Sequence, residues 1–175
     1  NYPKDKLHII VASDCSSDST DNIVTSYSDK GIQLVRADQH LGKEYAQYCA
    51  IQHSTGDIIV FSDVSTDIPV DAITTLASYF TDPKVGAVSS EDRFISDGGK
   101  VVGESAYVRY EMWLRALESQ HAGLVGLSGS FFAARRAIVI HDWDTQSPSD
   151  FNTALQTSKS GLIAISCPDV LGYYK

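Results

Sequence analysis

The sequence lacks the features that mark membrane-spanning, nucleic-acid-binding and disulfide-stabilised proteins. No apolar run approaches the roughly 18 residues of a membrane-crossing helix, and no secretory signal peptide is visible. No basic run is present, and the formal net charge of −8 disfavours nucleic acid as a partner. The 3 cysteines, Cys15, Cys49 and Cys167, are widely spaced and form no C-x-x-C pair. We therefore expect free thiols in a reducing compartment.

The chain does contain enough apolar sequence for a sizeable core. Its 175 residues are 43% hydrophobic, and we expect a single domain over residues 1–175. Helical patterns alternate with short apolar runs. The predicted strands are 7–12, 32–36, 57–62, 85–89 and 162–166, and the predicted helices are 21–30, 42–55, one after Pro69, 104–121 and one opening at 147–151. This alternation favours an α/β fold with a mainly parallel sheet flanked by helices.

Two of the predicted strands end in the same dipeptide. Residues 9–14 are Ile-Ile-Val-Ala-Ser-Asp, and residues 58–63 are Ile-Ile-Val-Phe-Ser-Asp. Ligands of open parallel sheets bind outside the carboxyl ends of the strands. If both strands are parallel members of one sheet, Asp14 and Asp63 reach the same edge. Two carboxylates at one cleft repel each other unless a cation or a proton lies between them.

The segment that begins at Asp63 offers further oxygen ligands. Ser65 lies two positions on, and Asp67 lies two beyond that. Carboxylate and hydroxyl oxygens suit hard cations such as Mg²⁺ or Mn²⁺. The alternative is a loop in which Asp and Ser cap the following helix, because both residues favour caps and turns.

Five motifs follow one another along most of the chain. They are Tyr2 to Thr20, which contains Ile10-Val11-Ala12-Ser13-Asp14; Gly42-Lys43 followed by Ala46 and Ala50; Phe61-Ser62-Asp63-Val64-Ser65; Asp82-Pro83-Lys84-Val85-Gly86-Ala87-Val88; and Gly126 to Arg136 with Ser149-Asp150-Phe151. In this order they resemble the inverting glycosyltransferases of family 2, which have the GT-A fold, and especially the subgroup that makes polysaccharides and cellulose-like polymers. Each motif is weak alone, but five in order are specific.

The resemblance implies a nucleotide-sugar donor, expected to be a UDP-sugar. It implies that Asp14 contacts the base or the ribose and that Lys43 lies near the diphosphate. It further implies that Asp63, with help from Ser65, holds the Mg²⁺ or Mn²⁺ that bridges the phosphates and offsets charge on the UDP leaving group.

The resemblance also implies the acceptor side of the reaction. Asp150 would be the general base, taking a proton from a hydroxyl of a saccharide or lipid-linked acceptor as that oxygen attacks with inversion. Gly129 and Ser130 would border the sugar and the acceptor. From the residues alone, an N-cap of the last helix is the favoured role of Asp150, and the two roles can coexist. Arg135 and Arg136 contact phosphate or, as we favour, pair with acidic residues.

The chain departs from the family pattern in two places. Ser65 replaces the second acid of D-x-D, which makes metal binding less secure, although Asp67 could contribute. The family's opening strand and helix are not found before residue 2. In the fold that strand lies between strands 7–12 and 57–62, so we expect an incomplete catalytic domain. Its two exposed strand edges would pair with a second copy as a homodimer, or with each other.

Three alternatives remain open at this point. Residues 14–18 and 63–67 both have the pattern D-x-S-x-D, which is near the D-x-S-x-S metal motif of von Willebrand A-type binding modules. A nucleotidyltransferase would need a glycine-rich loop after its first strand, and none is seen. A fragment that keeps the fold without activity is compatible with the family. We expect a cytoplasmic location, at the inner face of the membrane through parts of a longer parent protein.

Overall fold

The computed structural model describes residues 2–94, 110, 113–115, 117–119 and 123–174. Its helices are α1 (Thr20–Thr25), α2 (Lys43–His53), α3 (Ala72–Tyr79), α4 (Arg136–Val139) and α5 (Ser149–Lys159), with short 3₁₀ helices at Lys4–Lys6 and Ser28–Lys30. Its strands are β1 (Ile9–Ser13), β2 (Ile32–Arg36), β3 (Ile58–Ser62), β4 (Val85–Phe94), β5 (Phe131–Arg135) and β6 (Ile163–Tyr174). The predicted α/β class is confirmed.

These strands form two sheets. β1 and β2 pair in parallel, with Ile9 beside Ile32. The second sheet has the order β3-β5-β4-β6; β4 and β6 are parallel, whereas β5 is antiparallel to both of its neighbours. β5 is therefore the exception to the mainly parallel arrangement, and the sequence patterns did not separate it from the glycine-containing segment before it.

The two strands that end in Ser-Asp belong to different sheets, so the condition under which Asp14 and Asp63 would reach one sheet edge is not met. Within the described ranges, β1 pairs only with β2, and β3 pairs only with β5. The two strands therefore do not pair directly with each other, which removes one of the two outcomes predicted for their edges. No strand of the described ranges lies hydrogen-bonded between them either.

Helix α2 connects the two sheets. It packs on β1 and β2, and its Ile51 belongs to the apolar core beside Phe61 of β3 and Trp143. The Trp143 indole donates a hydrogen bond to the carbonyl of Glu44, in the first turn of α2, at 2.8 Å. The position of α2 is thus set by both sheets.

The core lies on both faces of the second sheet, and β5 passes through its middle. Phe131 and Ala133 face the cluster that contains Leu76 of α3, and Phe132 and Ala134 face the cluster that contains Phe61. Successive side chains of a strand point to opposite faces, so four consecutive apolar residues are what a strand buried on both faces requires.

Element boundaries differ from the predictions mainly at the ends. α1 stops at Thr25, and a 3₁₀ turn that ends at Gly31 (φ 81°) replaces the rest of the predicted helix 21–30. β4 and β6 run longer than predicted, with a register shift between Ser90 and Glu91. Much of the predicted helix 104–121 lies outside the described residues, although positions 110, 113–115 and 117–119 are helical. No helix in the described ranges is long and apolar enough to cross a bilayer.

Candidate active site

The end of β3 brings together most of the predicted donor-binding residues. The Lys43 ammonium lies 2.7 Å from the Asp63 carboxylate and also donates to the Gly129 carbonyl at 3.1 Å. The Asp63 backbone N–H donates to the Ser130 carbonyl at 2.9 Å. Residues from the first turn of α2, from the end of β3 and from the loop before β5 therefore meet at one place.

Asp14 binds the segment that leads into α2. Its two carboxylate oxygens accept the backbone N–H groups of Leu41 (3.1 Å) and Gly42 (3.0 Å). His40 Nδ1 lies 2.9 Å from the same carboxylate. Gly42 has φ 100° and immediately precedes α2, a conformation that favours glycine. Asp14 thus orients the segment that presents Lys43, a positioning role that the sequence motif did not reveal.

Asp150 lies in the first turn of α5. Helix α5 begins after Pro148, and no side chain caps it, so the interpretation of Asp150 as an N-cap is wrong. A methyl group placed on Gly129 would lie 3.8 Å from Asp150 Oδ2, so the carboxylate borders the loop that Lys43 also contacts. Within the described ranges no hydrogen-bond or ion-pair partner occupies this carboxylate.

Buried serines support the loop that carries Gly129. Ser89 of β4, fully buried, accepts the Ser128 backbone N–H at 2.6 Å. The Ser128 hydroxyl accepts the N–H groups of Ser130 (3.2 Å) and Phe131 (3.3 Å). Sequence analysis did not select these serines. The available signal was the polar pair Ser89-Ser90 at the end of an apolar run.

The metal site expected at Asp63 and Ser65 has few protein ligands. Ser65 is exposed, and a turn closes behind Asp63 as the Thr66 N–H donates to the Asp63 carbonyl at 3.1 Å. The hydroxyl oxygen of Thr66 is buried and has no hydrogen-bond partner. No cluster of three or more His, Cys, Asp or Glu able to hold a metal occurs in the described part of the chain. One carboxylate with a neighbouring hydroxyl suits a Mg²⁺-like cation that substrate phosphates also coordinate.

The first D-x-S-x-D segment, residues 14–18, does not form a metal site. Asp18 accepts the backbone N–H of Thr20 at 2.9 Å, and the hydrogen bonds from Thr20 lower the pKa of its carboxyl. Asp14 bonds to the start of α2 instead. The two carboxylates of the segment therefore serve different parts of the chain, and the first of the two segments behind the binding-module alternative loses its support.

Cys15, which follows Asp14, has φ 55° in the left-handed region, and its thiol donates to the Ala37 carbonyl at 3.1 Å. Left-handed conformations are rare outside glycine and cluster at functional sites. All three cysteines are free thiols, as predicted.

Arg135, which ends β5, and Arg136, which begins α4, bind carbonyl groups. Arg135 donates to the backbone oxygens of Val85 (2.8 Å), Phe80 (3.0 Å) and Asp82 (3.0 Å). Arg136 donates from Nε to the Ser54 carbonyl at 3.1 Å. The favoured expectation, that these arginines pair with acidic side chains, is therefore not what the structure has.

The α/β fold is GT-A-like, because it superposes on solved glycosyltransferase structures over 99% of this chain. A comparison with models of protein families identifies the family within this fold. The model of glycosyl transferase family 2 matches residues 1–143, and the chain belongs to this family.

Related proteins agree with that assignment. An N-acetylglucosaminyltransferase of Rhizobium meliloti (strain 1021) is 29% identical over 135 residues, which are 70% of this chain and 31% of that protein. A mannosyltransferase from Pyrobaculum calidifontis, solved with GDP-Man and Mn²⁺, superposes with a TM-score of 0.82 at 27% identity, over 99% of this chain and 49% of that one. Residues 1–349 of S. aureus TarS, solved with UDP-GlcNAc, share the fold with a TM-score of 0.67 at 17% identity, over 100% and 52%. The chain thus spans about a third to a half of these relatives.

Proposed function

We propose that this chain transfers a sugar from a nucleotide-diphosphate sugar, a UDP-sugar above all, to a hydroxyl of a saccharide or lipid-linked acceptor with inversion, in polysaccharide synthesis. The observation that carries the proposal is the meeting of Lys43, Asp63 and the Gly129 loop beside Asp150. The Lys43–Asp63 pair and the Asp150 carboxylate border the same loop, and Asp150 has no hydrogen-bond or ion-pair partner among the described residues. A donor site next to an acceptor site would require this arrangement.

The donor half is assigned to Lys43, Asp63 and Asp14. Lys43 supplies positive charge for the diphosphate, and Asp63, assisted by Ser65, would hold Mg²⁺ or Mn²⁺. That cation, when bound, offsets negative charge on the leaving nucleotide. Asp14 acts by holding the start of α2, and the free lone pairs of its carboxylate remain available to the nucleoside.

The acceptor half is assigned to Asp150. Its carboxylate takes the proton of the acceptor hydroxyl as the hydroxyl oxygen attacks the anomeric carbon. The bond from that carbon to the nucleotide oxygen breaks on the opposite side, and the electron pair leaves with the diphosphate. General base catalysis of this kind contributes about 10²–10⁴-fold. Gly129 and Ser130 border this space, where the absence of a side chain at Gly129 leaves room beside Asp150.

The choice of nucleotide base is the least constrained part of the proposal. The mannosyltransferase relative was solved with GDP-Man, whereas other relatives are N-acetylglucosaminyltransferases. UDP is proposed from the resemblance of the motifs, and GDP is the comparison that the test must include.

The test is calorimetric titration of UDP and of GDP into the chain, with and without Mn²⁺. Asp63→Ala should abolish the metal-dependent part of binding, and Asp29→Ala, which removes an exposed carboxylate from the 3₁₀ helix Ser28–Lys30, should retain it. Asp150→Asn should bind the nucleotide normally but lose transfer in the longer protein. Equal binding by Asp63→Ala and the unmodified chain would contradict the donor assignment.

The homodimer predicted from the sequence is a further proposal. It is supported by strand edges of β1 and β3 that have no partner within the described ranges. Light scattering across a concentration series tests it. A purely monomeric chain at the highest soluble concentration would refute pairing with a second copy.

A further inference from the structure

We propose that the Lys43–Asp63 ion pair is an internal lock on the donor site, which a divalent cation and a diphosphate open together. The lock makes binding of each ligand depend on the other. This inference rests on the proposed function, because it assigns the two sides of the pair to the metal and to the phosphates of the donor.

The pair occupies the position that the cation needs. The Lys43 ammonium lies 2.7 Å from Asp63 Oδ1, and the Gly129 carbonyl at 3.1 Å gives it a second acceptor. Asp63 is the only carboxylate that the lysine contacts in the described ranges. A divalent cation bound to this carboxylate would lie beside the ammonium group, and repulsion between the two positive charges favours displacement of the lysine.

The exposure of the pair allows it to open without disturbing the core. The side chains of Lys43 and Asp63 are 41% and 36% exposed, so both reach solvent. The lysine has a flexible stem, and α2 itself is held by Asp14 and Trp143. The ammonium group can thus change partners while the helix that carries it stays in place.

Charge explains why the two ligands would depend on each other. A metal ion alone takes Asp63 and leaves Lys43 as an unpaired positive charge beside a divalent cation. A diphosphate alone attracts Lys43 and leaves Asp63 as an unpaired negative charge beside the phosphates. When both bind, the metal pairs with Asp63 and Lys43 pairs with a phosphate, so neither side chain is left as an unpaired charge. Coupling of this kind is reciprocal.

The test measures Mn²⁺ binding by the EPR signal of the free ion, without nucleotide. Lys43→Met removes the competitor and should tighten Mn²⁺ binding about fivefold, the upper range for a solvent-accessible ion pair. Lys159→Met is the matched control, because Lys159 ends α5 at the opposite end from Asp150 and its removal changes net charge equally. The control should shift Mn²⁺ affinity less than twofold, roughly the effect of an unpaired surface charge.

Two further measurements test whether the gain in Mn²⁺ affinity arises at Asp63 and how it depends on UDP. Asp63→Asn in the Lys43→Met background should reverse the tighter Mn²⁺ binding, which shows that the gain occurs at this carboxylate. In the unmodified chain UDP should tighten Mn²⁺ binding, and in Lys43→Met the ratio of affinities with and without UDP should fall. Equal Mn²⁺ affinity in Lys43→Met and Lys159→Met would overturn the lock.

The outcomes separate the lock from the function it rests on. If Mn²⁺ binds more tightly to Lys43→Met and Asp63→Asn reverses the gain, but UDP does not bind, the lock stands and the donor assignment of this chain fails. If UDP binds with Mn²⁺ but Lys43→Met leaves Mn²⁺ affinity unchanged, the donor assignment stands and the lock is wrong.

Discussion

Asp14 gives the sharpest test of how the site is built. Its two proposed roles, holding the start of α2 and contacting the nucleotide, predict different results when it is replaced. Its carboxylate accepts the N–H groups of Leu41 and Gly42 without any nucleotide present. Asp14→Asn keeps one acceptor oxygen but turns an amide NH₂ group toward the other N–H. We therefore expect the variant to destabilise the free protein and, through Lys43, to weaken nucleotide binding as well.

The magnitude follows from the bonds that are lost. A hydrogen bond to a charged group contributes about 1.5–3 kcal/mol. One such bond disappears and the other weakens, and since the Asp14 side chain is 22% exposed, water replaces part of the loss. We expect about 2 kcal/mol of lost stability, which corresponds to roughly 4–8 °C in Tm for a chain of this size.

Amide hydrogen exchange is the decisive assay. In Asp14→Asn the amides of Leu41 and Gly42 should exchange faster, with amides of β5 changing only by the global loss of stability. His40→Ala is the control: its side chain is 80% exposed and contacts the same carboxylate, so it should cost less than about 0.5 kcal/mol. Unchanged exchange at Leu41 and Gly42, with weaker UDP binding, would refute the positioning role and leave direct contact with the nucleotide.

Two further predictions concern packing and pH. Gly86→Ala should destabilise the fold by about 1–3 kcal/mol, measured by urea unfolding, because the new methyl would lie 2.7 Å from Thr157 and 2.8 Å from Ile138 and Leu162. The control is Gly126→Ala, whose methyl would meet nothing within 4 Å. An equal loss of stability in both variants would contradict the packing argument. The pKa of Asp21 is lowered from 3.8 by the Ser13 hydroxyl and then by the Arg36 guanidinium, so the carboxylate adds stability above about pH 4 that is lost as the pH falls further. Asp21→Asn should therefore unfold at lower urea at pH 7 and lose less stability on acidification, and parallel pH profiles for the two proteins would show that the contact contributes nothing.

Local patterns predicted the elements well where burial alone determines them. β3, a run of β-branched and aromatic residues, begins and ends within a residue of the prediction. β5 was missed because its Phe-Phe-Ala-Ala run follows directly on a glycine- and serine-containing loop, so no periodicity marked where the strand began. The division into two sheets was not predictable, since pairing of β1 with β2 and of β3 with β5 depends on contacts distant in sequence.

The same limit applies to the site, where contacts between residues distant in sequence were not predicted. Three of the residues that the motifs selected lie together in the structure, namely Lys43, Asp63 and Gly129. They did not show that Asp14 bonds to backbone N–H groups or that Arg135 binds three carbonyls, because every residue type carries the same backbone groups and no sequence pattern identifies them.

The packing of Trp143 has a spectroscopic consequence. Its indole stacks on Phe61 at 5.3 Å between ring centroids and bonds to the first turn of α2, whereas Trp113 is 57% exposed. These are the 2 tryptophans of the chain. Trp143 should therefore emit at shorter wavelength and resist quenching by acrylamide, and in a Trp113→Phe background it becomes the only tryptophan emitter. Phe61 lies two residues before Asp63, so the unlabelled protein contains a fluorophore that reports optically on the junction between α2 and β3.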